Sequence, residues 1–85
     1  MRSLGVVQQI KRVEYSGTPP KKCQLCNDPI ANIFVDGLVR VGGNRQIWAD
    51  TCQSCHQLYG VGLGAGVGQE WWRDPDTGNF VKIEG

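Results

Sequence analysis

Eighty-five residues with a net charge of +1, 40 % of them hydrophobic, describe one small domain with an arm and exclude a chain of several domains. A domain this short buries only about 60 % of the surface its unfolded chain exposes, so an apolar core alone leaves little margin. The charge is uneven: residues 1–22 hold Arg2, Lys11, Arg12, Lys21 and Lys22 against Glu14, a net +4, while residues 23–85 hold four basic and seven acidic side chains, a net −3.

Residues 6–15, VVQQIKRVEY, are rich in β-branched side chains and predict a strand. Ser16-Gly17-Thr18-Pro19-Pro20 breaks it and delivers an extended chain to Cys23-Gln24-Leu25-Cys26. Asn27 follows the second cysteine, where such a turn asks for positive φ, and asparagine tolerates that conformation. Ile30–Val35 predicts a strand, Asp36-Gly37 a turn, and Leu38–Val41 a second short strand before Gly42-Gly43-Asn44. Arg45–Asp50 runs extended into Cys52-Gln53-Ser54-Cys55, and Asp50 or Thr51 is the expected cap of a short helix that carries Cys55 to Tyr59 and ends at Gly60. Gly60, Gly62, Gly64, Gly66 and Gly68 alternate with Val61, Leu63, Ala65 and Val67, a period of two that suits a close-packed strand or a loop and not a helix. Glu70–Arg73 and Asn79–Ile83 predict a hairpin across Asp74-Pro75-Asp76-Thr77-Gly78. On a strand Trp71 and Trp72 face opposite sides, so one joins the core and the other is a candidate docking residue.

The two Cys-x-x-Cys pairs, Cys23/Cys26 and Cys52/Cys55, stand 25 residues apart, the spacing of a four-thiolate zinc site. Two residues between cysteines let one tight turn aim both sulfurs at a point, and two turns complete a tetrahedron. Spacing alone does not separate zinc from iron. Disulfides are the other use of four cysteines in a small domain. The first residues hold no sustained apolar stretch of signal-peptide length, and nothing approaches a membrane span, so a reducing cytoplasm and one structural Zn²⁺ are the expectation. Residues 1–22 then form a basic leader strand and linker, and residues 23–85 a zinc-binding module with a C-terminal hairpin.

Turn, hairpin and a helix bearing the second cysteine pair is the order of a treble-clef zinc finger, giving a small metal-stabilised α+β fold with an extra C-terminal β-hairpin. An all-β zinc ribbon is the alternative, and the choice rests on whether His56–Tyr59 is helical. The run WADTCQSCHQLYGVGLG, residues 48–64, together with Cys23-x-x-Cys26, Phe34-Val35-Asp36-Gly37 and the glycine run, resembles small four-cysteine proteins of tailed bacteriophages and prophages, most of which have no assigned activity. The resemblance covers roughly residues 20–70 and implies zinc and a phage or prophage origin, not a mechanism; the expected compartment is the cytoplasm of a bacterial host.

No catalytic set is visible. A closed four-thiolate site leaves neither a free thiolate nor an open coordination position. His56, the single histidine, is a candidate to orient a thiolate from outside the sulfur cage. The glycine run lacks the Gly-Lys-Ser/Thr ending of a phosphate-binding loop. The expected function is therefore a non-enzymatic interaction module docking on a host or phage protein, with Gly62, Gly64, Trp71 and Trp72 as candidate contacts. The alternative is nucleic-acid binding through Lys11, Arg12, Lys21 and Lys22. Neither a membrane nor a small-molecule substrate is expected.

Overall fold

The computed structural model describes residues 12–85. Most of the expected strand over 6–15, including Lys11, lies outside the described residues; Val13–Tyr15 pair with the last strand through a bridge between Glu14 and Val81. The fold is a small α+β unit. Among the described residues four strands, β1 (Ile33–Arg40), β2 (Gln46–Thr51), β3 (Gly68–Arg73) and β4 (Phe80–Glu84), form one antiparallel sheet in the order β2-β1-β3-β4, and one short helix, α1 (Gln53–Tyr59), follows β2.

Asp36-Gly37 is not a turn. The two strands expected on either side of it merge into β1, where Gly37 lies between Ala49 of β2 and Gly68 of β3. The reversal comes later, at Gly42 (φ 118°) and Gly43 (φ 54°), whose left-handed backbone only glycine adopts cheaply. Two glycines together outcompete Asp-Gly as the hairpin turn. Asp36 instead becomes a mid-strand side chain that accepts the indole N–H of Trp48.

The sheet has two differently covered faces, because side chains alternate along each strand. On one face Phe34, Trp71, Phe80 and Ile30 form the hydrophobic core, with Tyr15 packed edge-on against Phe34 and Trp71 at ring separations of 5.1 and 5.0 Å. Edge-to-face geometry sets the positive ring edge against the negative ring face, a gain beyond burial alone. On the other face α1 packs over β1 and β2 only, above Val35, Val39, Ala49 and Thr51, all buried. Among the described residues no helix packs on the β3–β4 half of that face.

The glycine run does not continue as a strand. It loops along β1, with Leu38 donating its N–H to Val67 O (2.8 Å) and accepting from Val61 N–H (3.0 Å), and turns tightly between Gly64 and Gly68. The glycines differ in what they do. A Cβ on Gly37 would lie 2.8 Å from Gly68 Cα and Val67 O, and one on Gly68 would lie 2.7 Å from Gly62 O, both backbone atoms that cannot swing away. Gly62 has nothing within 4 Å of such a Cβ and no left-handed φ. Gly62→Ala is thus expected to change stability by no more than about 0.5 kcal/mol, whereas Gly68→Ala should cost about 1–3 kcal/mol by overpacking. Denaturant melts of the metal-loaded variants check the contrast, and equal melts would refute it.

The hairpin expected at the C-terminus is present as β3–β4, with Arg73 opposite Phe80 and Trp72 opposite Val81, and a bulge beside Glu70/Trp71. No helix among the described residues is long and apolar enough to cross a membrane.

Candidate metal centre

Cys23 and Cys26 sit on a tight turn that precedes β1. Its backbone is closed by Asn27 N–H to Cys23 O (2.9 Å) and Cys23 N–H to Asp28 O (2.8 Å), with Asn27 at φ 68° supplying the left-handed residue that the turn needs. Inside the turn the N–H groups of Leu25 and Cys26 point at Cys23 Sγ, at 3.4 and 3.5 Å. The second pair repeats the device on a helix. Cys52 is the N-cap of α1, and its Sγ accepts from Cys55 N–H at 3.4 Å. The cap is thus Cys52, not Asp50 or Thr51; both of those remain at the end of β2, with Thr51 fully buried. Gly60 ends the helix as expected, though with an ordinary extended backbone (φ −68°) and not a left-handed one.

Gln24 ties the two halves together, donating its backbone N–H to Asp50 O (2.9 Å) and accepting Asp50 N–H on Oε1 (2.6 Å). No residue pattern marks Gln24 for this role, because the contact exists only once the first turn docks on β2.

The result is four sulfurs within 4.8 Å of one another, all unbridged. Metal–sulfur bonds of about 2.3 Å in a tetrahedron imply sulfur–sulfur edges of about 3.8 Å, and Cys26 Sγ to Cys52 Sγ is 3.8 Å. The donor set therefore fits a tetrahedral cation of zinc size. Cys23 and Cys55 are buried, Cys52 is half-buried and Cys26 is exposed, so the cage opens to water chiefly at Cys26 and in part at Cys52.

The electrostatics agree. Burial opposes ionisation of Cys23, but the backbone N–H groups of Cys26, Cys52 and Leu25 outweigh it and bring the thiol down to about 6. Burial first, and then the surrounding sulfurs, push the Cys55 thiol up. Four thiols this close cannot all ionise beside one another unless a cation compensates them, which is the service a metal provides. Nearby, Asp50 is raised to about 6, first by burial and then by Asp36 across the strand pair.

His56 makes no hydrogen bond to a cysteine sulfur among the described residues. Its ring lies against the glycine loop: a Cβ on Gly60 would come within 2.5 Å of it and one on Gly68 within 3.6 Å of Nε2. Its Nε2 is buried without a hydrogen-bond partner among the described residues, and the missing Cβ atoms at both glycines make room for the ring.

The other expected contacts are scattered. Trp71 is 5 % exposed and belongs to the core, so it leaves the set of docking candidates, while Trp72 is 44 % exposed. Arg12 is paired with Glu14 and Asp74. Lys21 and Lys22 are exposed beside the first cysteine turn, and Gly62 and Gly64 lie half-buried on the opposite side of β1 from β2. Of these residues, Arg12 and Trp72 line one groove together with Val81 and Ile83. No family model, curated protein or solved structure matches the chain.

Proposed function

We propose that this chain is a non-enzymatic, zinc-stabilised interaction module that docks on another protein. The observation that carries the reading is the half of the helix-bearing face that no helix among the described residues covers, where Trp72 (44 % exposed), Val81 and Ile83 (54 % exposed) form an apolar strip. A monomer gains by covering such a strip, and exposed tryptophans are frequent energetic anchors of interfaces. The helical Gln53–Tyr59 segment favours the treble-clef form over the zinc ribbon. The likeness of residues 20–70 to small phage proteins points to a phage or host protein as the partner.

The nucleic-acid reading has less support. Arg12 is neutralised by two carboxylates, which leaves Lys21 and Lys22 as the free described cations of the leader. Two phosphate contacts contribute a log–log salt slope of only about −1.8 on duplex DNA.

The test is affinity capture from a bacterial host lysate with zinc-loaded protein, followed by titration of the captured partner. Trp72→Ala, with zinc content and circular dichroism unchanged, is expected to weaken binding by about 2 kcal/mol, close to 30-fold. Retained binding to random DNA at physiological salt, or an unaffected Trp72→Ala complex, would overturn the proposal.

A further inference from the structure

We infer that β2 is the contact strand of a homodimer, pairing antiparallel with β2 of a second copy about a two-fold axis at Ile47. The two edges of the sheet are treated differently. The outer edge of β4 is taken by Val13–Tyr15, through Tyr15 N–H to Phe80 O and Lys82 N–H to Val13 O, both 2.8 Å. At the other edge, the outward backbone groups of β2 can be identified from their neighbours. Leu38, opposite Trp48, directs its own N–H and C=O away from β2, to Val67 and Val61. Leu38–Trp48 is therefore a pair without mutual hydrogen bonds, and Trp48 turns its N–H and C=O out of the sheet. Asp50 does the same, since Gln24 receives both of its backbone groups. By the two-residue alternation Gln46 also faces out. Among the described residues nothing pairs with the backbone of Gln46 or Trp48.

That open edge is short and its register is constrained. Gln24 closes it at Asp50, and the Gly42–Arg45 turn closes it on the other side. A centre at Trp48 would need the Asp50 groups, which are used. A centre at Ile47 matches the open groups completely: Gln46 exchanges two hydrogen bonds with Trp48 of the second copy, and Trp48 exchanges two with its Gln46. The side chains suit the same register. Ile47 meets its own copy directly across the axis on one face. On the other, the two Trp48 rings stand diagonal to each other, at a separation of about 7–8 Å between strands that aromatic rings span. Trp48 is 49 % exposed and its indole is already held by Asp36, so the ring is placed before any partner arrives. An unpaired strand edge with apolar side chains is the surface that soluble proteins otherwise block with charge, proline or a bulge, and Gln46-Ile47-Trp48 has none of these. The second copy is the occupant, because one set of donors, acceptors and side chains satisfies itself under the two-fold.

The pairing covers less surface than the about 1,200 Å² of stable complexes, so a dissociation constant on the order of 0.1 mM is expected. The test is sedimentation velocity on the zinc-loaded full chain from about 10 µM to about 1 mM, a range that brackets that constant, with ¹H–¹⁵N spectra recorded across it. The expected result is a monomer–dimer shift, with concentration-dependent amide changes confined to residues 45–49. Gln46→Pro removes an N–H that no bond among the described residues uses, and Trp48→Lys places a charge on the ring position. Each should weaken dimerisation at least tenfold while zinc content stays the same. A monomer throughout the range, a dimer indifferent to both substitutions, or shifts centred on Trp72 and Ile83 would each overturn the inference.

Discussion

Removing the metal from the purified protein is expected to unfold it in one cooperative step. The first cysteine turn has few apolar contacts of its own, and α1 has only seven residues, about two turns, too few to persist alone in water. Beyond the Gln24–Asp50 bonds and the packing of α1 on β1 and β2, the two are joined where Cys23, Cys26, Cys52 and Cys55 converge. A structural zinc site contributes an apparent ~10–16 kcal/mol to folding at neutral pH. The net stability of a whole domain is typically about 5–15 kcal/mol. By those magnitudes a cation held by the four cysteines would decide whether this chain is folded. Circular dichroism and tryptophan fluorescence during chelator titration should fall together, with one metal ion released per chain. Cys55→Ser should fail to retain that ion. Acid should act in the same direction, because thiolates must be reprotonated as metal leaves. A chelated protein that still melts cooperatively would refute this account, and so would metal analysis that finds no bound cation in gently purified material.

Phe34→Ala is expected to weaken zinc binding by about 10²–10³-fold, although Phe34 touches no cysteine. Phe34 is fully buried and lies among Tyr15, Trp71 and Phe80, stacked 6.2 Å from Trp71 and edge-on at 4.8 Å to Phe80. Truncating a buried phenylalanine costs about 3–5 kcal/mol. If the metal-free chain is unfolded, that cost has no apo fold to fall on, and it appears directly in the apparent metal affinity at about 1.4 kcal/mol per factor of ten. The metal-loaded variant should nonetheless fold, because the metal term exceeds the loss. Competition against a chromophoric chelator measures the affinity, and thermal melts of the loaded form measure the remaining stability. A variant with unchanged zinc affinity and a lowered melting temperature would show that the core folds independently of the metal, contrary to both expectations.

The parts of the molecule legible in the sequence are those that depend on near neighbours. The Cys23-x-x-Cys26 turn with Asn27 at φ 68° follows from local backbone geometry. So do the helix through Tyr59 and its stop at Gly60, and the β3–β4 hairpin around Asp74–Gly78. Asp36-Gly37 shows the limit. Its turn chemistry is genuine, but Gly42-Gly43 has more of it, and the sheet has a use for a residue without Cβ at position 37 because Gly68 approaches there. A local propensity was outweighed by packing between segments thirty residues apart.

The same distinction runs through the site and its surroundings. The sequence alone implies that each Cys-x-x-Cys pair can aim two sulfurs at one point, and that adjacent tryptophans on a strand must part, since both follow from bond geometry within a few residues. Only the folded structure decides that Trp71 goes inward and Trp72 outward, that Gln24 locks the first turn to Asp50, that His56 packs beneath glycines instead of bonding a sulfur, and that α1 covers one half of its face. It also decides that, among the described residues, the β4 edge is taken by Val13–Tyr15 while the Gln46–Trp48 edge of β2 is left open. Those outcomes depend on which distant segment covers which face, and that is settled by the burial free energy of the whole assembly, a quantity no local window of residues contains.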